Sequence, residues 1–221
     1  GMAVDPDVDR LALVDERGTP IGEDYTLAFA VRAVLAGLPR PPRPYTGRQP
    51  VVVANLSTSR VVEDAAAAGG ARFVRAPVGE ANVAKTIVAE GALIGGEGNG
   101  GVILPALHVG RDAPLGVALI LQVLALENRS ISALVAAAPR YRIVKAKAPR
   151  GADLGAAYAA LKNRFKDAAV DERDGLRLAW ADRWVHLRPS GTEPVIRCIA
   201  EAPTEAEAEE LVGLCRTLLT Q

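Results

Sequence analysis

The sequence predicts an α/β protein whose last third changes to an α+β arrangement, and three features carry that reading. From residue 51 short β-branched runs alternate with amphipathic stretches, the pattern of strand–helix–strand units. Ahead of that alternation stands Pro39-Arg40-Pro41-Pro42-Arg43-Pro44, with Pro50 close behind, a stiff extended linker and the clearest domain boundary in the chain. From about Tyr141 the strands alternate apolar and polar residues and end in a well-capped helix, which suits an antiparallel sheet packed on two helices. The expected divisions are therefore 1–45, 46–138 and 139–221.

Composition narrows the function classes. Of 221 residues, 49% are hydrophobic but only 4% aromatic, so the core is aliphatic. The 26 basic residues balance the 26 acidic ones, and no overall charge argues for a nucleic acid or a membrane surface as partner. Cys198 lies in a strand-like run and Cys215 on the apolar side of a helix, so both are expected to be buried free thiols in a reducing compartment. The longest apolar run, Leu115 to Leu126, is interrupted by Gln122 and falls short of the roughly 20 residues of a membrane span. The expectation is a soluble, cytoplasmic protein; its oligomeric state is not legible. Gly1 ahead of Met2 reads as an expression scar.

Near the start, Asp5, Asp7 and Asp9 alternate, so in an extended loop all three could point the same way. Crowded carboxylates repel unless a hard cation sits among them, and such oxygen ligands suit Mg²⁺. A calcium loop of the EF-hand kind is the rival, because Asp5, Asp7, Asp9 and Glu16 fall at its ligand spacing. It fails on Arg10, where that loop needs glycine, and on the strand-like Leu11-Ala12-Leu13-Val14. A solvated acidic turn is the plainer alternative.

Glu23 to Leu38 reads as an alanine-rich helix. Val51 to Ala54 is a buried strand, and Ser57-Thr58-Ser59 supplies capping hydroxyls for a helix that ends at Gly69-Gly70. Arg72 to Arg75 is a strand, Gly79 to Glu90 a helix and Ala92 to Ile94 a third strand. That strand delivers Gly95-Gly96-Glu97-Gly98-Asn99-Gly100-Gly101 at its carboxyl end, where open α/β sheets bind ligands. The glycines let backbone approach a ligand closely. Gly96-x-Gly98-x-x-Gly101 matches a dinucleotide fingerprint in spelling only. No helix opens directly after it, since Val102-Ile103-Leu104-Pro105 follows, and Glu97 would sit where the phosphate charge belongs. What remains are Glu97 and Asn99, an acceptor and a mixed donor–acceptor suited to sugar hydroxyls. The strongest helix, Leu115 to Glu127, comes next.

In the last block, Arg142 to Lys147 alternates as a half-exposed strand and 153–169 is helical. Gly175–Trp180 and Trp184–Arg188 form a hairpin, and Val195 to Ala200 is another strand. Thr204-x-x-Glu207 is a capping box opening a final helix with Leu211, Val212, Cys215, Leu218 and Leu219 on one face. Between strands lies Arg188-Pro189-Ser190-Gly191-Thr192-Glu193-Pro194. Backbone N–H groups around a glycine make an anion concavity, and Arg188, Ser190 and Thr192, with Arg197 close by, add donors enough for a phosphate. A polar, proline-bracketed turn is the competing reading.

Together and in this order, Asp5-Pro-Asp7-Val-Asp9-Arg10, Gly96-Glu97-Gly98-Asn99-Gly100-Gly101 and Arg188-Pro-Ser190-Gly191-Thr192-Glu193-Pro194 resemble the α-D-phosphohexomutase superfamily, which includes phosphoglucomutases, phosphomannomutases and phosphoglucosamine mutases. The resemblance implies a partial second domain carrying the metal loop, then a three-layer α/β domain with a mixed sheet, then an α+β domain. It implies Mg²⁺ on Asp5, Asp7 and Asp9 and a catalytic place for Arg10. Sugar contacts would fall to Glu97 and Asn99, and also to Glu80 and Asp112, which lie in the Gly79-Glu80 and Arg111-Asp112 segments. Arg188, Ser190, Gly191, Thr192 and Arg197 would hold the phosphate of a hexose phosphate. Many relatives carry Ser and His in the sugar loop where this chain has Asn99 and Gly101, which resembles the archaeal-like branch.

The family also uses a phosphoserine in a Ser-His-Asn-Pro-like loop, which this sequence lacks; His108 and His186 lie elsewhere. The expectation is the latter half of a mutase, binding Mg²⁺ and a hexose phosphate but inactive alone without its phosphoryl donor. A non-catalytic phosphosugar-binding protein derived from the family is the alternative, and a metal-dependent phosphatase with an Asp5 or Asp7 nucleophile the third reading.

Overall fold

The computed structural model describes residues 1–37, 49–149, 151 and 153–220. The proline-rich linker predicted at 39–44 lies outside them. The chain divides into two compact units, Gly1–Pro139 and Arg140–Gln221.

The first unit runs β1 (Met2–Val4), β2 (Leu11–Leu13), α1 (Glu23–Ala36), β3 (Val51–Asn55), α2 (Arg60–Ala68), β4 (Arg72–Ala76), α3 (Glu80–Glu90), β5 (Ile94–Glu97), β6 (Gly101–Ile103), α4 (Ala113–Glu127) and α5 (Ile131–Ala137). Strands β1 and β2 form a small antiparallel pair. The main sheet has the order β4-β3-β5-β6, with β4, β3 and β5 parallel and β6 antiparallel on β5. The mixed sheet expected from the sequence is thus present. Ser59 caps α2, its Oγ accepting from the Val61 N–H, so of the three candidate capping hydroxyls the last does the work.

Successive side chains of a strand face opposite ways, and the sheet uses both faces. Val51 and Val53 pack with Val83 and Ile87 of α3. In β5 a Cβ on Gly95 would strike Ile87, whereas one on Gly96 would strike Leu27 of α1. Helix α3 therefore covers one face and α1, packed against α2 and α4, the other. The helix that precedes the proline-rich linker thus packs on the same sheet as the strands that follow it. The apolar side of α1, including Leu27, Phe29 and Val31, is wholly buried, so the segment 1–37 belongs to the same unit as the sheet. The second unit begins at Arg140.

Two extents also differ, and the first is the helix expected over 153–169, which runs only from Leu154 to Arg164. Strand β5 begins at Ile94 and runs through Gly95 and Gly96 to Glu97, so half of the glycine loop is strand. Helix α5 and a short strand at Ala169–Asp171 in the second unit go unread in the sequence, because seven and three residues are too few to show a period.

The second unit comprises β7 (Arg142–Pro149), α6 (Leu154–Arg164), β8 (Ala169–Asp171), β9 (Leu176–Ala179), β10 (Trp184–Pro189), β11 (Val195–Ala202) and α7 (Glu205–Leu219). Its five strands are antiparallel in the order β7-β11-β10-β9-β8. Leu176, Leu178, Val185, Leu187, Ile196, Cys198 and Ala200 line one face and pack on Ala157 and Leu161 of α6 and Leu211, Val212, Cys215 and Leu219 of α7. The capping box at Thr204 and Glu207 is formed in both directions. Cys198 and Cys215 are both free and buried, as the sequence expects. No single helix among the described residues is long and apolar enough to cross a membrane.

Gly95 offers a direct check on the two-faced sheet. A Cβ there would lie 2.5 Å from the Val53 carbonyl oxygen and 2.7 Å from Ile87 Cδ1. G95A is expected to lower the urea-unfolding free energy by about 1–3 kcal/mol. G213A, with open space at its Cβ on the exposed side of α7, is not expected to lower it.

Candidate functional site

In the first unit the strand order places the site. The chain passes from β3 outward through α2 to β4, then returns through α3 to β5 on the other side of β3. Such a reversal opens a crevice at the carboxyl ends of the two central strands. Asn55 ends β3 and Glu97 ends β5, and they meet there, Asn55 Nδ2 donating to Glu97 Oε1 at 2.8 Å.

Glu97 is only 4% exposed, so its charge needs a full set of donors. Oε1 also accepts from the Gly79 N–H at 3.2 Å. Oε2 accepts from Arg111 Nη1 at 2.9 Å and from Asn99 Nδ2 at 3.4 Å. Four donors thus occupy a carboxylate with about four lone-pair positions. Arg111 in turn gathers three acids: Nη1 pairs with Glu97, while Nη2 lies 2.5 Å from Asp9 Oδ2 and 3.3 Å from Glu80 Oε2. The Arg111 backbone N–H donates to Glu80 Oε1 at 3.0 Å. One guanidinium therefore joins the aspartate loop, the start of α3 and the glycine loop.

The glycine loop serves this network. A Cβ on Gly101 would fall 2.3 Å from Arg111 Cδ, and one on Gly98 would fall 2.1 Å from Asp24 Oδ1. Asp24 Oδ1 accepts from the Ser59 N–H, and Thr58 Oγ1 accepts from the Gly98 N–H. The glycines admit neighbouring side chains of the protein itself at these two positions. Asn99 bridges Glu97 and, through Oδ1, the Gly101 N–H at 3.2 Å. Asp112 caps α4, Oδ1 accepting from the Leu115 N–H at 2.8 Å, while Oδ2 lies 2.9 Å from His108 Nε2. The Leu115 N–H, with help from His108, holds the Asp112 carboxyl below its usual range against burial.

The aspartate triplet does not gather. A shared direction for the three carboxylates requires an extended loop, but Val8 N–H donates to Asp5 O and Val8 takes a φ of 56°, a left-handed conformation strained for a β-branched residue. The loop is a turn. Asp5 is bound by its own neighbours: Arg10 Nε at 2.6 Å and the backbone N–H groups of Asp9 and Arg10 at 3.2 Å. Burial opposes the charge of Asp5, but those bonds prevail and hold it at about 2. Burial pushes Asp9 above its usual range despite Arg111, and one of its oxygens, Oδ1, is buried without a hydrogen bond. Asp7 is exposed. Among the described residues no three carboxylate, imidazole or thiol groups are placed to hold a metal ion, so the loop as arranged does not fit Mg²⁺. Arg10, expected in a catalytic place, is here the counter-charge of Asp5, with Asp9 Oδ1 at 3.5 Å.

The second unit carries the other cluster. Arg188 on β10 is registered opposite Arg197 on β11, and Arg197 opposite Lys147 on β7. Their neighbours Leu187, Cys198, Ala146 and Ala148 face the helices, so the three cations share the other face. Beyond them the strands join through the turn at Ser190. The Ser190 side chain is buried, and its Oγ accepts from the N–H groups of Thr192 and Glu193 and from Arg197 Nε at 3.2–3.4 Å. Gly191 and Thr192 form the exposed tip. Arg197 Nη2 donates to Glu193 at 2.8 Å. Arg188 is the least satisfied: Nη1 reaches the Pro189 carbonyl at 3.2 Å and Asp174 at 3.8 Å, and its buried Nε has no partner.

The sequence reading placed Arg188, Ser190, Gly191, Thr192 and Arg197 in one loop, and the structure keeps them together. It brings Glu80, Glu97 and Asn99 to Arg111, with Asp112 adjacent in the chain, and joins Asp9 but not Asp5 or Asp7 to them. Missed were Asn55, Asp24, Thr58 and the central part of Arg111. A lone amide closing the Val51–Ala54 run at a strand's carboxyl end was the available signal for Asn55.

Residues 23–141 match the sequence description "Phosphoglucomutase/phosphomannomutase, alpha/beta/alpha domain III", and residues 143–214 match "Phosphoglucomutase/phosphomannomutase, C-terminal domain". The chain belongs to the phosphoglucomutase/phosphomannomutase family. It is 35% identical to a phosphoglucomutase/phosphomannomutase of Thermococcus kodakarensis, over all of this chain and 47% of that protein. Among solved structures, a phosphoglucomutase/phosphomannomutase family protein of Burkholderia thailandensis superposes with a TM-score of 0.78 at 23% identity, over all of this chain and 46% of the other. The Aspergillus fumigatus N-acetylphosphoglucosamine mutase, solved with GlcNAc-6P and magnesium, superposes with a TM-score of 0.70 at 16% identity, over 98% of this chain and 51% of the other. The chain thus spans about half the length of the relatives it matches.

Two measurements follow from this geometry. Arg111→Ala leaves Glu97 buried without its cation and is expected to cost about 3 kcal/mol in chemical denaturation. In the second unit, His186 is fully buried two residues before Arg188 on β10, with Nε2 donating to the Asp174 carbonyl at 2.6 Å, and burial pushes it from 6.5 down to about 4. Above pH 6.5 it is neutral both folded and unfolded; below that the unfolded chain takes up a proton that the folded unit refuses. Stability is therefore complete above pH 6.5 and falls as the pH drops toward 4. His186→Gln is expected to reduce the stability difference between pH 7 and pH 4.5 by about 2.5 kcal/mol, read by urea unfolding at both pH values.

Proposed function

We propose that this chain is the sugar- and phosphate-binding part of a phosphohexose mutase, and that by itself it binds a hexose phosphate without turning it over. The observation that carries the phosphate reading is the placement of Arg188 opposite Arg197 with donors of Arg188 unspent. Like charges facing each other across strands are destabilising unless an anion lies between their reach. A phosphate takes the Arg188 guanidinium, the exposed Gly191–Thr192 tip and the Arg197 side chain as charge-assisted donors. In the first unit Asn99, Glu80 and Asp112 are the candidates for sugar hydroxyls. Glu97 has no free lone pair in this arrangement, so its part is to fix Asn99 and Arg111 rather than to offer an open acceptor.

As arranged, Asp5 is held by Arg10 and the three aspartates share no cation site, so no Mg²⁺ role is assigned to them. Transfer in a mutase needs a phosphoryl donor, and these residues contain no Ser-His-Asn-Pro-like sequence to provide one.

Calorimetry with glucose 6-phosphate tests the proposal. Arg188→Ala is expected to weaken binding by at least about tenfold, the loss of one charged hydrogen-bonding group. Unchanged affinity overturns the assignment of the phosphate loop. A coupled mutase assay should register no turnover by these 221 residues, and measurable turnover overturns the claim that the donor lies outside them.

A further inference from the structure

Glu193 poses an electrostatic difficulty for an anion cradle. Its backbone is locked into the turn, the N–H donating to Ser190 Oγ at 3.3 Å and the carbonyl accepting from Val195 N–H at 2.8 Å. The carboxylate is therefore tethered near the edge of the loop, and a negative charge there repels an incoming phosphate dianion. Arg197 touches it at 2.8 Å, but a guanidinium spent on neutralising Glu193 has less to give to a ligand.

Lys147 supplies the missing charge. It lies on β7, registered opposite Arg197, and its Nζ is 3.0 Å from one Glu193 oxygen and 3.2 Å from the other. Glu193 thus sits between two cations from neighbouring strands. The Lys147 ammonium is the foremost cause of the lowered Glu193 pKa, ahead of Arg197. Nothing in the loop's own spelling announces this residue, since it is 46 positions away in the chain.

We infer that Lys147 is a positioning residue of the phosphate site: by neutralising Glu193 it frees the Arg197 guanidinium for the ligand and keeps the cradle net positive. The inference rests on the phosphate-loop reading above. It assigns Lys147 an action through Glu193 and not a bond to the phosphate, because its ammonium is already shared between both carboxylate oxygens.

The test uses the whole chain with inorganic phosphate and glucose 6-phosphate as probes, by calorimetry at low and moderate salt. Lys147→Ala is expected to weaken both probes by about tenfold at low salt and less at higher salt, as screening shortens the reach of Glu193. Lys147→Arg, which keeps the charge, should bind as the parent does. Glu193→Gln placed in the Lys147→Ala background should restore affinity to within about twofold of the parent, because the charge that needed neutralising is gone. Matching thermal unfolding of the variants shows that the unit is folded in each.

An unchanged affinity in Lys147→Ala overturns the inference. So does a double variant that stays as weak as Lys147→Ala, since that result means Lys147 touches the phosphate itself. If the parent chain binds neither probe, or if Arg188→Ala binds both as well as the parent, the phosphate-loop reading fails first. The two failures are therefore separable.

Discussion

A single guanidinium, that of Arg111, holds the first unit's functional end together. Glu97 ends a central strand almost out of reach of water, and a carboxylate in that position persists only with a cation and hydrogen bonds on every side. Arg111 meets the need with a planar fork that serves Glu97 on one nitrogen and Asp9 and Glu80 on another, a geometry lysine cannot reproduce. The consequences spread outward. Gly101 must lack a side chain because the arginine stem passes against it, and the turn of residues 5–10 is tied to the sheet through Asp9.

The two units handle charge in opposite ways. The first is a nearly closed network, with Asn55, Gly79, Asn99 and Arg111 meeting the demand of Glu97 and the first turn of α3 meeting part of that of Arg111, while Arg111 Nε and Asp9 Oδ1 stay buried without a hydrogen-bond partner. The second concentrates like charges. A register that sets Arg188 against Arg197 and Arg197 against Lys147 builds a row of three cations on one face of an antiparallel sheet, with Glu193 and Asp174 as partial relief. A closed network fixes groups in place; a surplus of one sign draws a partner of the other. Burial of His186 as a neutral ring beside this row keeps a further positive charge from arising there at ordinary pH.

Much was legible along the chain because it depends on local spacing. The alternation of strands and helices from residue 51, the cap at Ser59, the capping box at Thr204 and the apolar stripe of α7 follow from propensity and periodicity, which act over a few residues. The glycine loop and the Ser190 turn stood out for the same reason, each being a compact cluster of unusual residues.

Misreadings arose where the outcome depends on distant partners. The aspartate triplet looked like one ligand set because alternation implies a shared direction in extended chain, yet a turn at Val8 and two arginines, Arg10 and Arg111, divided the three carboxylates. The first helix was assigned to a separate segment because a proline-rich run follows it, while burial of Leu27 and Phe29 placed it on the sheet. By itself the sequence determined most of the longer elements and singled out the loops of unusual composition, since those are set by neighbours in the chain. Only the tertiary structure decided that Asn55 meets Glu97, that Arg111 collects three acids and that Lys147 answers Glu193, because strand order and register fix which distant charges must share the same small volume.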